Sequence, residues 1–253
     1  MNHPKITLIT GASRGLGRNT AVNIARDGGD LVFTYHSQAQ EAQAVVAEIE
    51  ALGRRAVALQ LDTGEVAGFP DFATRLTAAL RGTWQRDTFD HLVNNAGHGH
   101  VAPIAETTGE AFDRLMNVHF KGVFFLTQAL LPLLADGGRI VNISSGLTRV
   151  ALPGYSAYAA MKGAIEVLTV YMAKELGGRG ITVNTVAPGA IETDFMGGAV
   201  RDREDLNKMI AGITALGRVG VPDDIGPLVA SLLQPATRWV NAQRIEASGG
   251  MFL

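Results

Sequence analysis

The sequence predicts an α/β protein built as a three-layer, doubly wound parallel sheet, and three observations lead there. Short β-rich runs alternate with helical stretches along most of the chain. A glycine-rich loop, Thr10-Gly11-Ala12-Ser13-Arg14-Gly15-Leu16-Gly17, joins the first run to the first helix. The 253 residues, 47% hydrophobic and 18% charged, suffice for one large core, so 1–253 is expected to be a single domain.

The elements follow in order. Residues 5–10 form a β-rich run that stops at Gly11, 16–26 a helix and 30–35 a second buried strand, which completes a βαβ unit. The alternation continues through a helix at 38–52, a strand at 55–61, a helix at 69–80 and a strand at 89–93. Then come a long helix at 110–133, a strand at 139–143, a helix carrying Tyr158 to about 176, and a strand at 181–186. Such alternation implies a parallel sheet with helices on both faces and right-handed crossovers, whose binding sites lie beyond the carboxyl ends of the strands. The interval from Gly189 to Gly220 breaks the pattern. With Phe195, Met196, paired glycines and the charged run from Arg201 to Asp205, it is expected to hold a substrate lid at about 190–215, the alternative being a surface excursion.

Composition excludes several functions. A formal net charge of −2 with scattered Lys and Arg lacks the concentrated basic face that nucleic acid requires. The absence of cysteine removes disulfides, thiol catalysis and cysteine metal sites. No apolar run approaches the roughly 18 residues of a membrane helix, and residues 1–4 are too short and polar to lead a signal peptide, so a cytoplasmic protein is expected.

One constellation carries chemistry. Tyr158 and Lys162, four residues apart in a stretch rich in helix formers, project from one helix face, and Ser145 lies thirteen residues upstream. A phenol ordinarily titrates near 10, so its use near neutrality calls for a shift of about three units, or about 4 kcal/mol in favour of phenolate. A neighbouring ammonium in a partly dry site can supply it. Ser145 would hydrogen-bond the substrate oxygen and so fix the target of the acid.

The glycine loop has its glycines at the first, fifth and seventh places, a spacing that resembles the T-G-x-x-x-G-x-G loop of the short-chain dehydrogenase/reductase family. Asn94-Asn95-Ala96-Gly97 at the end of the fourth strand, Ser145, Tyr158 and Lys162 in that order, and Pro188-Gly189 after the sixth strand extend the resemblance over nearly the whole chain. It implies a Rossmann fold of about seven strands in the order 3-2-1-4-5-6-7. It further implies that Tyr158 is the general acid or base, that Lys162 lowers its pKa and holds the nicotinamide ribose, and that Ser145 orients the substrate. Gly11, Ser13, Arg14, Gly15, Leu16 and Gly17 would cradle the pyrophosphate. Asp62 and Thr63 would face adenine, Asn95, Ala96 and Gly97 would line the ribose side, and Pro188, Gly189, Ile191 and Thr193 would bracket the nicotinamide. A homotetramer is expected from the same resemblance, with no metal.

Charge distinguishes the cofactors. An NAD enzyme usually places a carboxylate at the end of the second strand, where it would repel a 2′-phosphate. Residues 34–40 contain no acid, whereas Arg14, His36 and Ser37 offer a cation and donors, so NADP(H) is expected in preference to NAD(H).

The chain departs from the family in the fourth helix, where an Asn usually holds a water on the proton path. Aligned on Phe120-Lys121-Gly122-Val123-Phe124, that position is His119, with Asn117 the competing candidate. His98-Gly99-His100 is also unusual and is expected to shape the pocket mouth. Leu147, Leu152, Pro153 and Tyr155 make the pocket mostly apolar, with Arg149 as the exception. The leading expectation is therefore hydride transfer between nicotinamide and a carbonyl or secondary alcohol of moderate size, apolar or aromatic. Two alternatives stand beside it. One is a 3-oxoacyl-acyl-carrier-protein reductase, the branch that Ile191-Glu192-Thr193-Asp194 resembles, although residues 134–139 are nearly uncharged where a carrier would dock. The other is a non-catalytic dinucleotide-sensing protein.

Overall fold

The computed structural model describes residues 4–253. Seven parallel strands form one sheet in the order β3-β2-β1-β4-β5-β6-β7. They are β1 (Ile6–Ile9), β2 (Asp30–Tyr35), β3 (Ala56–Gln60), β4 (Phe89–Asn94), β5 (Leu134–Ile143), β6 (Thr182–Pro188) and β7 (Arg244–Ala247). This is the expected Rossmann order, with its switch point between β1 and β4. The helices in chain order are α1 (Gly15–Arg26), α2 (Ala39–Ala51), α3 (Phe69–Trp84), α4 (Gly109–Met116), α5 (Gly122–Leu130), α6 (Ser156–Leu176), α7 (Ala199–Asp202), α8 (Glu204–Gly212) and α9 (Gly226–Leu232). None among the described residues is long and apolar enough to cross a membrane.

Side chains alternate across the strands, so the central strands feed two cores. Ile6 and Leu8 join Leu76, Leu80, Leu126, Leu130 and Met172 on the face covered by α3, α5 and α6. Ile9 and Phe33 join Ala21, Ile24, Val45 and Val229 on the face covered by α1, α2 and α9. At the opposite end from the site, the buried Asp30 carboxylate accepts hydrogen bonds from Arg54 Nε (2.9 Å), the Arg55 amide (3.0 Å) and Trp84 Nε1 (2.8 Å). Burial alone would raise its pKa, but these donors hold it below the usual carboxylate value.

Three elements differ from the sequence expectation. The long helix at 110–133 is interrupted: Asn117–Lys121 form a π turn, closed by the Gly122 amide on the Asn117 carbonyl, between α4 and α5. A single inserted residue of this kind leaves the apolar periodicity almost intact. β5 begins at Leu134 rather than 139, because Leu134 pairs with Phe89 across a register shift from the main ladder. The interval 189–220 is not irregular throughout but contains α7 and α8, and α9 follows it.

Candidate active site

The site lies at the carboxyl edge of the sheet. After β1 the chain turns through Gly11 (φ +67°) and Gly15 (φ +58°) into α1. The amino end of α1 has no side-chain cap and no acid in its first turn, and Arg14 beside it is exposed. Its first N–H groups are therefore free for an anion, with the helix dipole in support. Gly15 is approached only by the segment after β6: a methyl built there would meet Thr193 at the 3.9 Å of ordinary van der Waals contact.

The loop is braced from β4. The Asn95 side chain donates to the carbonyls of Thr10 (2.9 Å) and Gly11 (3.0 Å), while the Asn95 and Ala96 amides both donate to Thr10 Oγ1 at 3.0 Å. Asn95 thus spends its amide hydrogens on shaping the cradle. Beyond the ends of β2 and β3, His36, Gln60, Asp62, Glu65 and Arg75 line a cleft of about 270 Å³. Here Asp62 Oδ2 stands 3.4 Å from His36 Nε2. The acid absent from residues 34–40 therefore arrives from the neighbouring strand and shares the donor that was expected for a 2′-phosphate. Ser37 is exposed, as is Asp62, while Thr63 is half-buried. Thr193 is buried and caps the Phe195 amide at 3.1 Å, Ile191 bridges to Gly220, and Pro188-Gly189 closes against Ser248.

Ser145, Tyr158, Lys162 and His119 come together as a buried group, between 1% and 9% exposed. Ser145 opens a short 3-10 turn after β5, and its Oγ accepts from the Leu147 amide at 3.2 Å, which leaves its hydrogen for Tyr158. Lys162 donates to the Ile143 carbonyl at 2.7 Å and stands 5.7 Å from the centre of the Tyr158 ring. Burial pushes the lysine down to about 7. Burial also pushes the Tyr158 phenol above its ordinary range; hydrogen bonding to Ser145 opposes this and Tyr155 adds to it. The lysine was expected to lower the tyrosine pKa; in the site as it stands burial outweighs any such help. The ammonium lies over the ring face and gives a proton to a carbonyl, and desolvation penalises both charged forms.

The π turn swings His119 inward, where its ring meets Tyr158 edge-on with 5.3 Å between centroids and an interplanar angle of 85°. Its Nε2 lies 2.7 Å from the His98 carbonyl and 3.3 Å from the His98 amide; the shorter contact, to an oxygen that can only accept, assigns the hydrogen to Nε2, while the buried Nδ1 has no protein partner among the described residues. Burial first, and then the charge of Lys162, hold its pKa well below the ordinary histidine value. His119 is therefore a neutral imidazole with an unused acceptor. Gly97 makes room for it, since a methyl at that position would lie 2.6 Å from His119 Cε1. Asn117, at the start of the same turn, is only half-buried. The half-buried His98 ring packs 5.3 Å from that of His119.

Over the group lies the segment after β6. The Phe195 ring is 6.0 Å from that of Tyr158, and Met196, in the left-handed region at φ +54°, rests against Gly99. Arg149, expected as the lone cation of the pocket, instead turns toward Glu246, with NH1 to Oε2 at 3.5 Å. Glu166 and Arg244, which pack behind Ser145, were not foreseen. The available signal was a third step on the ladder Tyr158, Lys162, Glu166.

A glycine-loop cradle at the switch point and a buried Ser-Tyr-Lys group define an α/β protein of dinucleotide-binding type. A family model described as enoyl-(acyl carrier protein) reductase matches residues 11–252. A hydroxynaphthalene reductase-like protein of Metarhizium brunneum is 38% identical over 260 residues, covering 97% of this chain and 94% of its own. Among solved structures, the promiscuous reductase LugOII, described as catalysing keto-reduction at C1 during lugdunomycin biosynthesis, is 40% identical with a TM-score of 0.93, covering 98% of both chains. The angucycline C-6 ketoreductase LanV with bound NADP is 37% identical with a TM-score of 0.93, covering 98% of this chain and 95% of its own. The chain belongs to the short-chain dehydrogenase/reductase family.

Proposed function

We propose that this protein is an NADPH-dependent ketoreductase acting on a ketone carried by an aromatic, polycyclic framework. The observation that carries the reading is the buried Ser145, Tyr158 and Lys162 group beside an uncapped helix terminus suited to a dinucleotide. NADP is bound in the LanV structure, and that protein and LugOII are both described as acting on ketones. Leu147, Tyr155 and Phe195 beside Tyr158, with Met196 against Gly99, give the site apolar and aromatic walls that suit such a framework.

The residues divide the work as follows. The free N–H groups of α1 would hold the diphosphate, Arg14 and His36 the 2′-phosphate, and Asp62 and Thr63 the adenosine. When bound, NADPH supplies the hydride to the carbonyl carbon. Ser145 turns its hydroxyl hydrogen from Tyr158 to the carbonyl oxygen, and Tyr158, kept neutral by burial, passes its phenolic proton to the same oxygen as charge develops there. Lys162, balanced near neutrality, stabilises the phenolate left behind. The bare Nδ1 of His119 accepts a hydrogen bond from a water that returns a proton to the site, in place of the Asn of relatives. The segment at about 190–215 acts as the lid, with Phe195 over the phenol.

A homotetramer is supported by the exposed Val167, Val170 and Tyr171 on α6 and Phe124 and Phe125 on α5, a broad apolar surface for a single chain. Acyl-carrier docking is disfavoured. The one cation of residues 134–139, Arg139, is buried, and the adjacent Arg179 is already paired with Asp136 at 2.7 Å.

The test is NADPH oxidation, followed at the nicotinamide absorbance, across a panel of hydroxynaphthalenone, angucyclinone-type and simple ketones. Turnover on the aromatic ketones is expected, with Tyr158→Phe slower by roughly 10²–10⁴-fold while still binding NADPH. Full turnover in Tyr158→Phe, or native protein that binds NADPH but reduces nothing on the panel, would overturn the proposal.

A further inference from the structure

Tyr158, Lys162 and Glu166 follow one another at four-residue intervals along α6 and form one stripe. The third member takes no part in the chemistry above, yet it is deeply engaged. Glu166 Oε1 accepts from Ser144 Oγ at 2.7 Å, Thr148 Oγ1 at 2.7 Å and Arg244 Nε at 2.8 Å. Arg244 reaches in from β7. Its NH1 donates to Glu246 Oε2 at 2.8 Å, and its NH2 donates to Thr148 Oγ1 at 3.0 Å and lies 3.4 Å from the Ser145 carbonyl. The side chains are mostly buried, at 26% exposed for Arg244 and 19% for Glu166.

These bonds bracket one residue. Ser144 and Thr148 are the two ends of the turn that carries Ser145, and both are tied to a carboxylate on the helix that carries Tyr158. Ser145 itself is held through its carbonyl, while its hydroxyl hydrogen is left for Tyr158 or a substrate oxygen. A substrate oxygen must take hydrogen bonds from Ser145 and Tyr158 together, although the two donors sit on different elements. We infer that Arg244 and Glu166 are positioning residues, whose ion pair locks the Ser144–Thr148 turn against α6 and thereby sets the separation of the serine and tyrosine hydroxyls. The inference rests on the ketoreductase reading.

The effect runs through geometry and not charge: the shift of Lys162 comes from burial alone, with no contribution from Glu166. A misplacement of about 1 Å at a reacting centre costs on the order of a hundredfold in rate. Arg244→Met and Glu166→Gln are therefore expected to lower kcat on an aromatic ketone by roughly ten- to a hundredfold, with a larger isotope effect from 4-deuterated NADPH. The NADPH dissociation constant and the pH at which kcat turns over should stay as in the native protein, and Arg244→Lys should recover part of the rate.

Tyr158→Phe is assayed alongside. If it keeps full turnover, the ketoreductase reading fails. If it is inactive while folded Arg244→Met and Glu166→Gln both turn over at the native rate, the positioning inference fails and the ketoreductase reading stands. Weakened NADPH binding in step with kcat, or a displaced pH profile, would also overturn the inference. Should Arg244→Met lose its native circular dichroism, Glu166→Gln, which preserves the side chain's shape, decides alone.

Discussion

Lys162 ties the protein's stability to pH between about 7 and 10.5. Its pKa is about 7 in the folded chain against 10.5 when exposed, so between those values the unfolded chain binds a proton that the folded chain does not. The folded pKa is depressed. The stabilisation is therefore complete above about 10.5 and is lost as pH falls through 7. Each pH unit inside the window is worth about 1.4 kcal/mol, and the whole shift about 5 kcal/mol. Other buried groups act elsewhere. His119 and His91 are both lowered from 6.5, the latter to about 4 by burial against the opposing pull of Asp90, so their contributions fade only as pH drops below 6.5. Tyr158 is raised above 10.0, so its contribution is constant below that pH and is lost only as pH rises beyond it. Urea unfolding of the cofactor-free protein at fixed concentration, followed by the fluorescence of the buried Trp84, should show stability rising by about 2.5 kcal/mol from about pH 7.5 to about pH 9.5. Lys162→Met should be flat over the same interval. Equal slopes in the two proteins would refute the claim that desolvation of this lysine governs the site.

Two further predictions concern the proton path and the cofactor. Because burial keeps His119 neutral, His119→Ala should lower kcat by roughly 10²-fold without moving the pH at which kcat turns over; His119→Asn should recover part of the rate, and Asn117→Ala should match the native protein. Loss of activity confined to the Asn117 variant would show that the other register is the right one. Arg14→Ala should raise KM for NADPH by roughly tenfold and leave NADH unchanged, through loss of one charged hydrogen bond to the 2′-phosphate. Higher native catalytic efficiency with NADH than with NADPH would mean that Asp62, which stands 3.4 Å from His36, governs this end of the site.

What the sequence made legible was what local periodicity encodes. The strands of the doubly wound sheet announced themselves as short apolar runs, and Tyr158 with Lys162 was visible because a four-residue interval maps directly onto one helix face. α9 was not foreseen. Its seven residues, Gly-Pro-Leu-Val-Ala-Ser-Leu, are too few for a helical period to emerge, and only packing against α1 decides their form. The π turn at Asn117–Lys121 left no mark either, since one extra residue rotates a helix face without erasing its pattern. Pairs made by topology were the least visible. His36 meets Asp62 only because β2 and β3 run side by side, and Arg244 meets Glu166 across 78 residues because β7 closes the sheet beside the site.

The sign of the tyrosine shift marks where spacing stops being informative. Four residues on a helix guarantee that an ammonium can approach a phenol, and from approach alone a lowered phenol pKa follows. Hydration decides otherwise. Both groups are buried, Tyr158 beside Phe195; Lys162 turns to the Ile143 carbonyl, and burial raises the acid while it lowers the base. A neutral phenol beside an almost neutral amine is a proton donor waiting for negative charge to develop on a substrate oxygen. The relay is therefore set by burial at least as much as by the interval between two residues, and the neutral His119 imidazole extends the same logic. Burial keeps a proton acceptor ready next to Tyr158 at pH values where an exposed histidine would already have taken one up.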